Sequence, residues 1–233
     1  MASSTEQHDL QEVTIRSGRV RLEGHLGIPL SPLGMVVFAH GSGSGRFSPR
    51  NNFVAHHLQQ GRVATLLLDL LTPDEAEDRR KVFDIDLLAD RILSAKAWLE
   101  QDQRTKGLGI GYFGASTGAG AALQAAARDP LSIQAIVSRG GRPDLAEAYL
   151  PSVTAPTLLI VGGDDEPGIE MNRAAYRLLA CPKRLVIVPG ASHLFEEPGT
   201  LEQVEEHALA WFQQHFNPAA HGSTGAQTKE PLR

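Results

Sequence analysis

One serine, a short run of acids and one histidine follow one another in this chain in the order that nucleophile-elbow acyl chemistry uses. Residues 107–120 read GLGIGYFGASTGAG, and two patterns overlap in them. Gly109, Gly111 and Gly114 spell G-x-G-x-x-G, the mark of a dinucleotide-cradling loop, while Gly114, Ser116 and Gly118 spell G-x-S-x-G, the mark of a nucleophile elbow. A cofactor loop needs its first glycine at the turn leaving a strand, so that backbone N–H groups face a pyrophosphate. Here Gly109 and Gly111 fall inside the apolar run LGIGYF, and Asp129, the acid further on, sits at a helix end before Pro130. The elbow reading fits the same residues: a strand ending at Phe113, a sharp turn with Ser116 at its apex, and a helix whose positive end faces a developing oxyanion.

A serine hydroxyl is a poor nucleophile near neutral pH and needs a base, with a third group to orient that base. In elbow enzymes the order along the chain is Ser, then Asp or Glu, then His. After Ser116 the apolar run APTLLIVGG is followed by DDEPG, and RLVIVPG is followed by ASHLF. His193 is therefore the expected base. The other histidines have structural readings: His56, His57, His207 and His215 on helices, His25 in a hairpin, His8 and His221 in the ends, and His40 bracing the loop that follows it. Asp164, Asp165 and Glu166 compete for the acid; Asp165 is expected, with Asp164 capping or turning the loop. The oxyanion hole needs two backbone N–H groups. Thr117 supplies one, and the loop HGSGSGR supplies the other, Ser42 being the first choice and Gly43 the second. That loop is no phosphate loop, because no Gly-Lys-Ser/Thr follows it. Gly43, Arg46, Arg139 and Arg142 are the candidate substrate contacts; for the arginines the competing role is pairing with carboxylates such as Asp144.

These residues need a frame that brings distant segments to one rim. A hairpin pattern, VTIRSGRVRLEGHLGIP, opens the chain. Short apolar runs then alternate with amphipathic stretches: MVVFAH, VATLLLDL, LGIGYF, IQAIVS, APTLLIVGG and RLVIVPG as strands; residues 48–61, 84–102 and 117–129, with stretches near 169–180 and 199–216, as helices. Such alternation argues for an α/β fold: a mostly parallel central sheet with helices on both faces, ligands binding beyond the carboxyl ends of the strands. One domain over residues 13–216 is expected between flexible ends, 1–12 and 217–233. At 233 residues the chain can bury a full core unaided. A net charge of −5 gives no footprint for nucleic acid, and the single cysteine, Cys181, excludes an internal disulfide framework and a multi-cysteine zinc site. No run approaches the ~18 apolar residues of a membrane span. The start, MASSTEQHDLQEVT, lacks the features of a signal peptide, so a cytoplasmic monomer or homodimer without metal or organic cofactor is the expectation.

The segments FAHGSGSGR, GYFGASTGAG, LLIVGGDDEP and VPGASHLFEEPG, spread over roughly residues 13–216, resemble the α/β-hydrolase superfamily, in particular its small dienelactone-hydrolase-like serine hydrolases. The resemblance implies an α/β-hydrolase fold. It also implies no cap domain, since no long insertion separates VSRGGRPD from APTLLIVGG. It implies a Ser116–His193–Asp165 triad with Ser42 and Thr117 at the oxyanion hole. Dienelactone hydrolases proper use a cysteine nucleophile, whereas position 116 here is serine. The expectation is therefore a serine esterase that cleaves a small-molecule carboxylic ester through an acyl-enzyme. A thioesterase or acyltransferase with the same triad is the alternative, and a non-catalytic hydrolase-fold binding protein the third reading.

Overall fold

Four strands, β3 (Gly34–Ala39), β4 (Val63–Leu68), β5 (Ile110–Ala115) and β7 (Thr157–Gly162), are buried along their whole length, as strands covered on both faces must be. In the computed structural model, which describes residues 10–216, they join β6 (Ile133–Arg139) and β8 (Lys183–Val188) in a parallel array. Ahead of them β1 (Gln11–Ser17) and β2 (Val20–Gly27) form the expected hairpin, and β2 also pairs antiparallel with β4. The eight strands run in the order β1-β2-β4-β3-β5-β6-β7-β8. Residues 1–9 and 217–233, nearly all of the two ends expected to be flexible, lie outside the described residues.

Alternation along the strands divides the core between two faces. Met35, Val37 and Ala39 of β3 pack with residues of α4 (Ile85–Gln101), α5 (Thr117–Arg128) and α6 (Glu166–Leu178). Val36 and Phe38 pack on the other side with α1 (Pro49–Gln60) and α7 (Thr200–His215). Helix α1 shows the cause in miniature: Asn51, Val54, Ala55, Leu58 and Gln59 recur at helical spacing and form its buried stripe. Among the described residues no helix is long and apolar enough to cross a membrane. Cys181 is buried 3.6 Å from the Thr157 hydroxyl, and burial pushes its thiol pKa up, so it sits as an unreactive packing group.

Several boundaries differ from the expectations for physical reasons. Strand β5 continues past Phe113, because Gly114 and Ala115 keep their main-chain pairing with Ser138 and Arg139; it starts at Ile110, so Gly109 lies just before the strand. Helix α6 starts at Glu166 rather than near 169, since Asp165 caps it and Pro167 occupies its first turn, ahead of any side-chain periodicity. Two single-turn helices, α2 (Pro73–Ala76) and α3 (Arg79–Val82), and a kinked 3-10 segment, Pro143–Ser152, occupy connections too short to show a period.

From β3 the chain moves to β4 on one side, while from β5 it moves outward through β6, β7 and β8 on the other. The carboxyl ends of β3 and β5 therefore flank the reversal point of the sheet, where a crevice opens. Two glycines set how closely α5 approaches it: a Cβ at Gly118 would overlap the Ala39 carbonyl oxygen, and one at Gly114 would overlap the Ala119 backbone. Neither obstacle is a movable side-chain end. Gly118→Ala is expected to lower stability by about 3 kcal/mol, the upper range for overpacking, read as a shift of the urea midpoint at constant m-value.

Candidate active site

At the end of β5 the backbone of Ser116 adopts φ 50° and ψ −122°, a conformation that costs a non-glycine residue about 1–3 kcal/mol. Neighbouring segments hold it there. Its N–H donates to the Arg139 carbonyl at 3.3 Å, and its own carbonyl accepts from Ala119 and Arg142, each at 3.0 Å. The Ser116 side chain makes no capping bond to α5, so its hydroxyl is left for the cleft it faces. That cleft, about 270 Å³, is lined by Ser116, His193, Gly41, Ser42, Arg139 and Arg50 among others.

His193 reaches it from the loop after β8, and its Nδ1 lies 2.8 Å from Asp165 Oδ2. Asp165 has both oxygens engaged, since Oδ1 accepts the Gly168 N–H at 3.1 Å as the N-cap of α6. Asp164 is the residue expected to cap or turn this loop; in the structure the capping residue and the partner of His193 are the same, and Asp164 donates its N–H to the Ala191 carbonyl. One carboxylate serves both because capping uses one oxygen and the imidazole the other. The His193 loop is itself anchored: Glu197 accepts the Ser192 N–H at 2.9 Å, and that bond holds the Glu197 carboxyl below the usual carboxylate range. Ser116 and His193 stand across the cleft without a hydrogen bond between them; contacts of this kind commonly tighten with substrate in place.

The loop after β3 closes a turn through Ser44 N–H to Gly41 C=O at 3.2 Å, with Gly43 at φ 69°. Ser42 borders the cleft on one side and, on the other, a second cavity of about 290 Å³. The second cavity is mainly apolar, walled by Leu71, Pro73, Ala76, Val82 and Leu88, and Gly43 and Thr117 also line it. Among the described residues neither the Ser42 nor the Thr117 backbone N–H has an acceptor. For Thr117, at the first position of α5, this is the ordinary orphan donor of a helix start.

His40 braces this loop as expected: Nδ1–H donates to the Gly41 carbonyl and Nε2 accepts the Leu70 N–H, each at 2.9 Å. Its pKa lies below 6.5, chiefly through burial, against the opposing effects of the Gly41 hydrogen bond and the Asp69 charge. Protonation would also set an N–H against the Leu70 N–H.

Two candidate substrate contacts have other roles. Arg142 forms a bidentate pair with Asp144 (2.7–3.2 Å), and Arg46 pairs with Asp69 through both its backbone N–H and its guanidinium, so neither lines the cleft. In each case a carboxylate close by captures the guanidinium. Arg139 does line the cleft. Arg50 and Asn51, absent from the candidate contacts, line it too; their sign in the sequence is the Ser-Pro start of α1, placed directly after the glycine loop. Among the described residues no group of three or more His, Cys, Asp or Glu side chains is placed to hold a metal.

The chain is 56% identical to a dienelactone hydrolase from Anabaena variabilis, whose crystal structure matches with a TM-score of 0.86 over 90% of this chain and 100% of that one. Est1E from Butyrivibrio proteoclasticus matches with a TM-score of 0.76 at 18% identity, covering 88% of this chain and 98% of that one, a likeness of fold alone. Two Mycobacterium tuberculosis proteins provisionally named as phosphoribosyl transferases are 55% identical over 206 residues, which is 88% of this chain and 46% of theirs. The chain thus spans about half the length of the curated relatives it matches. No protein-family model matches it.

Because the folded state binds a proton at His40 less readily than the unfolded chain, the stability from that residue is complete well above pH 6.5, the unfolded-state value, and is lost below it as pH falls toward the lowered folded-state pKa. His40→Asn is expected to flatten the decline in the denaturation midpoint between about pH 7 and pH 5. Equal slopes for variant and wild type would contradict this account of His40.

Proposed function

The chain belongs to the dienelactone-hydrolase-like group of the α/β hydrolases, and from that premise we propose that it is a serine hydrolase cleaving carboxylic esters through an acyl-enzyme on Ser116. The observation that carries the reading is the His193–Asp165 pair, 2.8 Å apart, set across one cleft from a serine on a strained elbow. Asp165 accepts the Nδ1 proton of His193 and leaves Nε2 as the free base. His193 takes the Ser116 proton as the oxygen attacks the ester carbonyl. The charge that develops on the carbonyl oxygen falls to the unengaged N–H groups of Thr117 and Ser42, aided by the positive end of α5. His193 then returns the proton to the leaving alcohol, and water, deprotonated by the same imidazole, releases the acid and restores Ser116.

The transferase name of the mycobacterial proteins describes whole chains, about half of whose length lies outside the match. A nucleophile, an imidazole and an orienting carboxylate are the requirements of acyl transfer. The order of these three residues along the chain, and their delivery from the ends of β5, β7 and β8, support that reading over a binding role.

Turnover of p-nitrophenyl acetate and butyrate tests it. Ser116→Ala is expected to remove turnover to the background rate. Asp165→Asn should lower kcat by about 10⁴-fold, as loss of the correct imidazole tautomer does elsewhere. Asp164→Asn should stay within about threefold of wild type, because Asp164 is exposed and the bond from its backbone N–H to the Ala191 carbonyl survives the change. Turnover unaffected by Ser116→Ala overturns the mechanism, and a crippled Asp164→Asn beside an active Asp165→Asn overturns the assignment of the acid. A kcat/KM for butyryl-CoA far above that for the esters moves the enzyme to the thioesterases.

A further inference from the structure

The apolar cavity across Ser42 from the catalytic cleft has a place in the reaction that its neighbours define. The two spaces share Gly41, Ser42 and Ser44, so they meet at the loop after β3. Ser116 and His193 line the cleft and not the cavity, while Thr117 lines the cavity and not the cleft. An ester carbonyl oxygen held between the Ser42 and Thr117 N–H groups therefore lies on the border of the two. His193 must protonate the leaving alcohol oxygen, so that oxygen and the group it carries stay on the cleft side. The remaining substituent of the carbonyl carbon is the acyl chain, and the space left for it is the cavity.

The wall of this cavity is built rather than incidental. Leu71 follows β4, Pro73 and Ala76 come from α2, Val82 from α3 and Leu88 from α4. Leu71 and Leu88 are buried, Val82 is half-buried and Ala76 is exposed, so the wall runs from the core to an open rim. A single-turn helix does not hold its own shape, and α2 is held from outside. Thr72 and Glu75 cap it reciprocally, and Glu75 Oε1 also accepts from Arg91 Nη2 at 3.1 Å. Arg91 is buried on α4, and its Nη1 donates to the Ser17 carbonyl at 2.9 Å. The wall is thus set by α4 and the opening hairpin as well as by the two short helices. An apolar cavity of roughly 150 Å³ holds a benzene ring. This one, at about 290 Å³, takes nearly twice that bulk.

We propose that the cavity is the acyl pocket, that it selects esters of unbranched apolar acids of about eight carbons, and that Val82 and Leu88 set the length limit. The pocket rests on the ester-hydrolase reading for the position of the carbonyl and on the cavity itself for its size. The alcohol side, open to the cleft, carries no matching length preference.

Two ester series test the assignment of the arms. In the first, p-nitrophenyl esters run from acetate to dodecanoate; in the second, methyl, butyl and octyl acetates are followed by acid release. The acyl series is expected to gain about threefold in kcat/KM per added CH₂, up to about eight carbons, and then to level or fall. The alcohol series should stay within about threefold throughout. Val82→Trp should lower the octanoate-to-acetate ratio by about tenfold or more, and Leu88→Ala should move the optimum to longer chains by about two carbons. The ratio is the readout because a disturbed fold lowers both members alike. An optimum that neither variant moves overturns the pocket. A length preference found in the alcohol series, and flattened there by Val82→Trp, overturns the assignment of the arms.

A binding measurement is independent of turnover. Calorimetry on Ser116→Ala with octanamide should detect binding that the added Val82→Trp change weakens by about tenfold or more. Such binding without ester turnover by the wild type would leave the pocket standing and remove the hydrolase reading. Ester turnover through Ser116 with a flat acyl series and no octanamide binding would overturn the pocket alone.

Discussion

The backbone of Ser116 is the constraint on which the rest of the site depends. A residue at φ 50° persists only where its surroundings leave it no alternative, and four neighbouring segments impose that condition here. Strand β6 accepts its N–H, the first turn of α5 and the loop after β6 donate to its carbonyl, and β3 lies so close that only glycine fits at position 118. Strain at this point is therefore supported by the parallel sheet itself. The side chain that would ordinarily cap α5 is released from that duty and faces the cleft.

From that fixed point the other groups fall into two sets. On one side stand His193 and its Asp165 partner, with Arg139, Arg50 and the start of α1; on the other stand Thr117, the His40-braced loop and an apolar cavity. Ser42 lies on the boundary and borders both. The two sets are anchored by different bonds. The neutral imidazole of His40 ties the glycine loop to the end of β4, whereas His193 sits on a loop closed by Glu197 and Phe195, the latter also at positive φ. Glycine-rich backbone gives close approach to a ligand, and buried clamps hold it in place.

Much of this was legible in the sequence because burial on both faces writes itself as continuous apolar runs, and because ligands bind where such runs end. Ser116, His193 and the acidic run were found by that rule together with their order along the chain. The sequence favours Asp165 over Asp164 because Asp164 is read as capping or turning the loop; the structure makes Asp165 the cap as well as the partner of His193, a double duty that residue type alone does not reveal. Arg46 and Arg142 were read as possible substrate contacts, yet each has a carboxylate within reach, one of them two residues away. Arg50 and Asn51 were missed for a different reason. Periodicity places residues on a helix but does not say where the helix points, and α1 points its first turn into the cleft. The short α2, α3 and 3-10 segments fell below the length at which a period exists.

The central claim is that Ser116 is an activated nucleophile, and intact-mass spectrometry after reaction with a fluorophosphonate tests it most directly. The account predicts one adduct per chain, mapped to Ser116 by peptide digestion, with labelling abolished in Ser116→Ala and strongly slowed in His193→Ala. A folded wild type that takes up no adduct, or takes it up at another residue with Ser116→Ala still labelled, would contradict it.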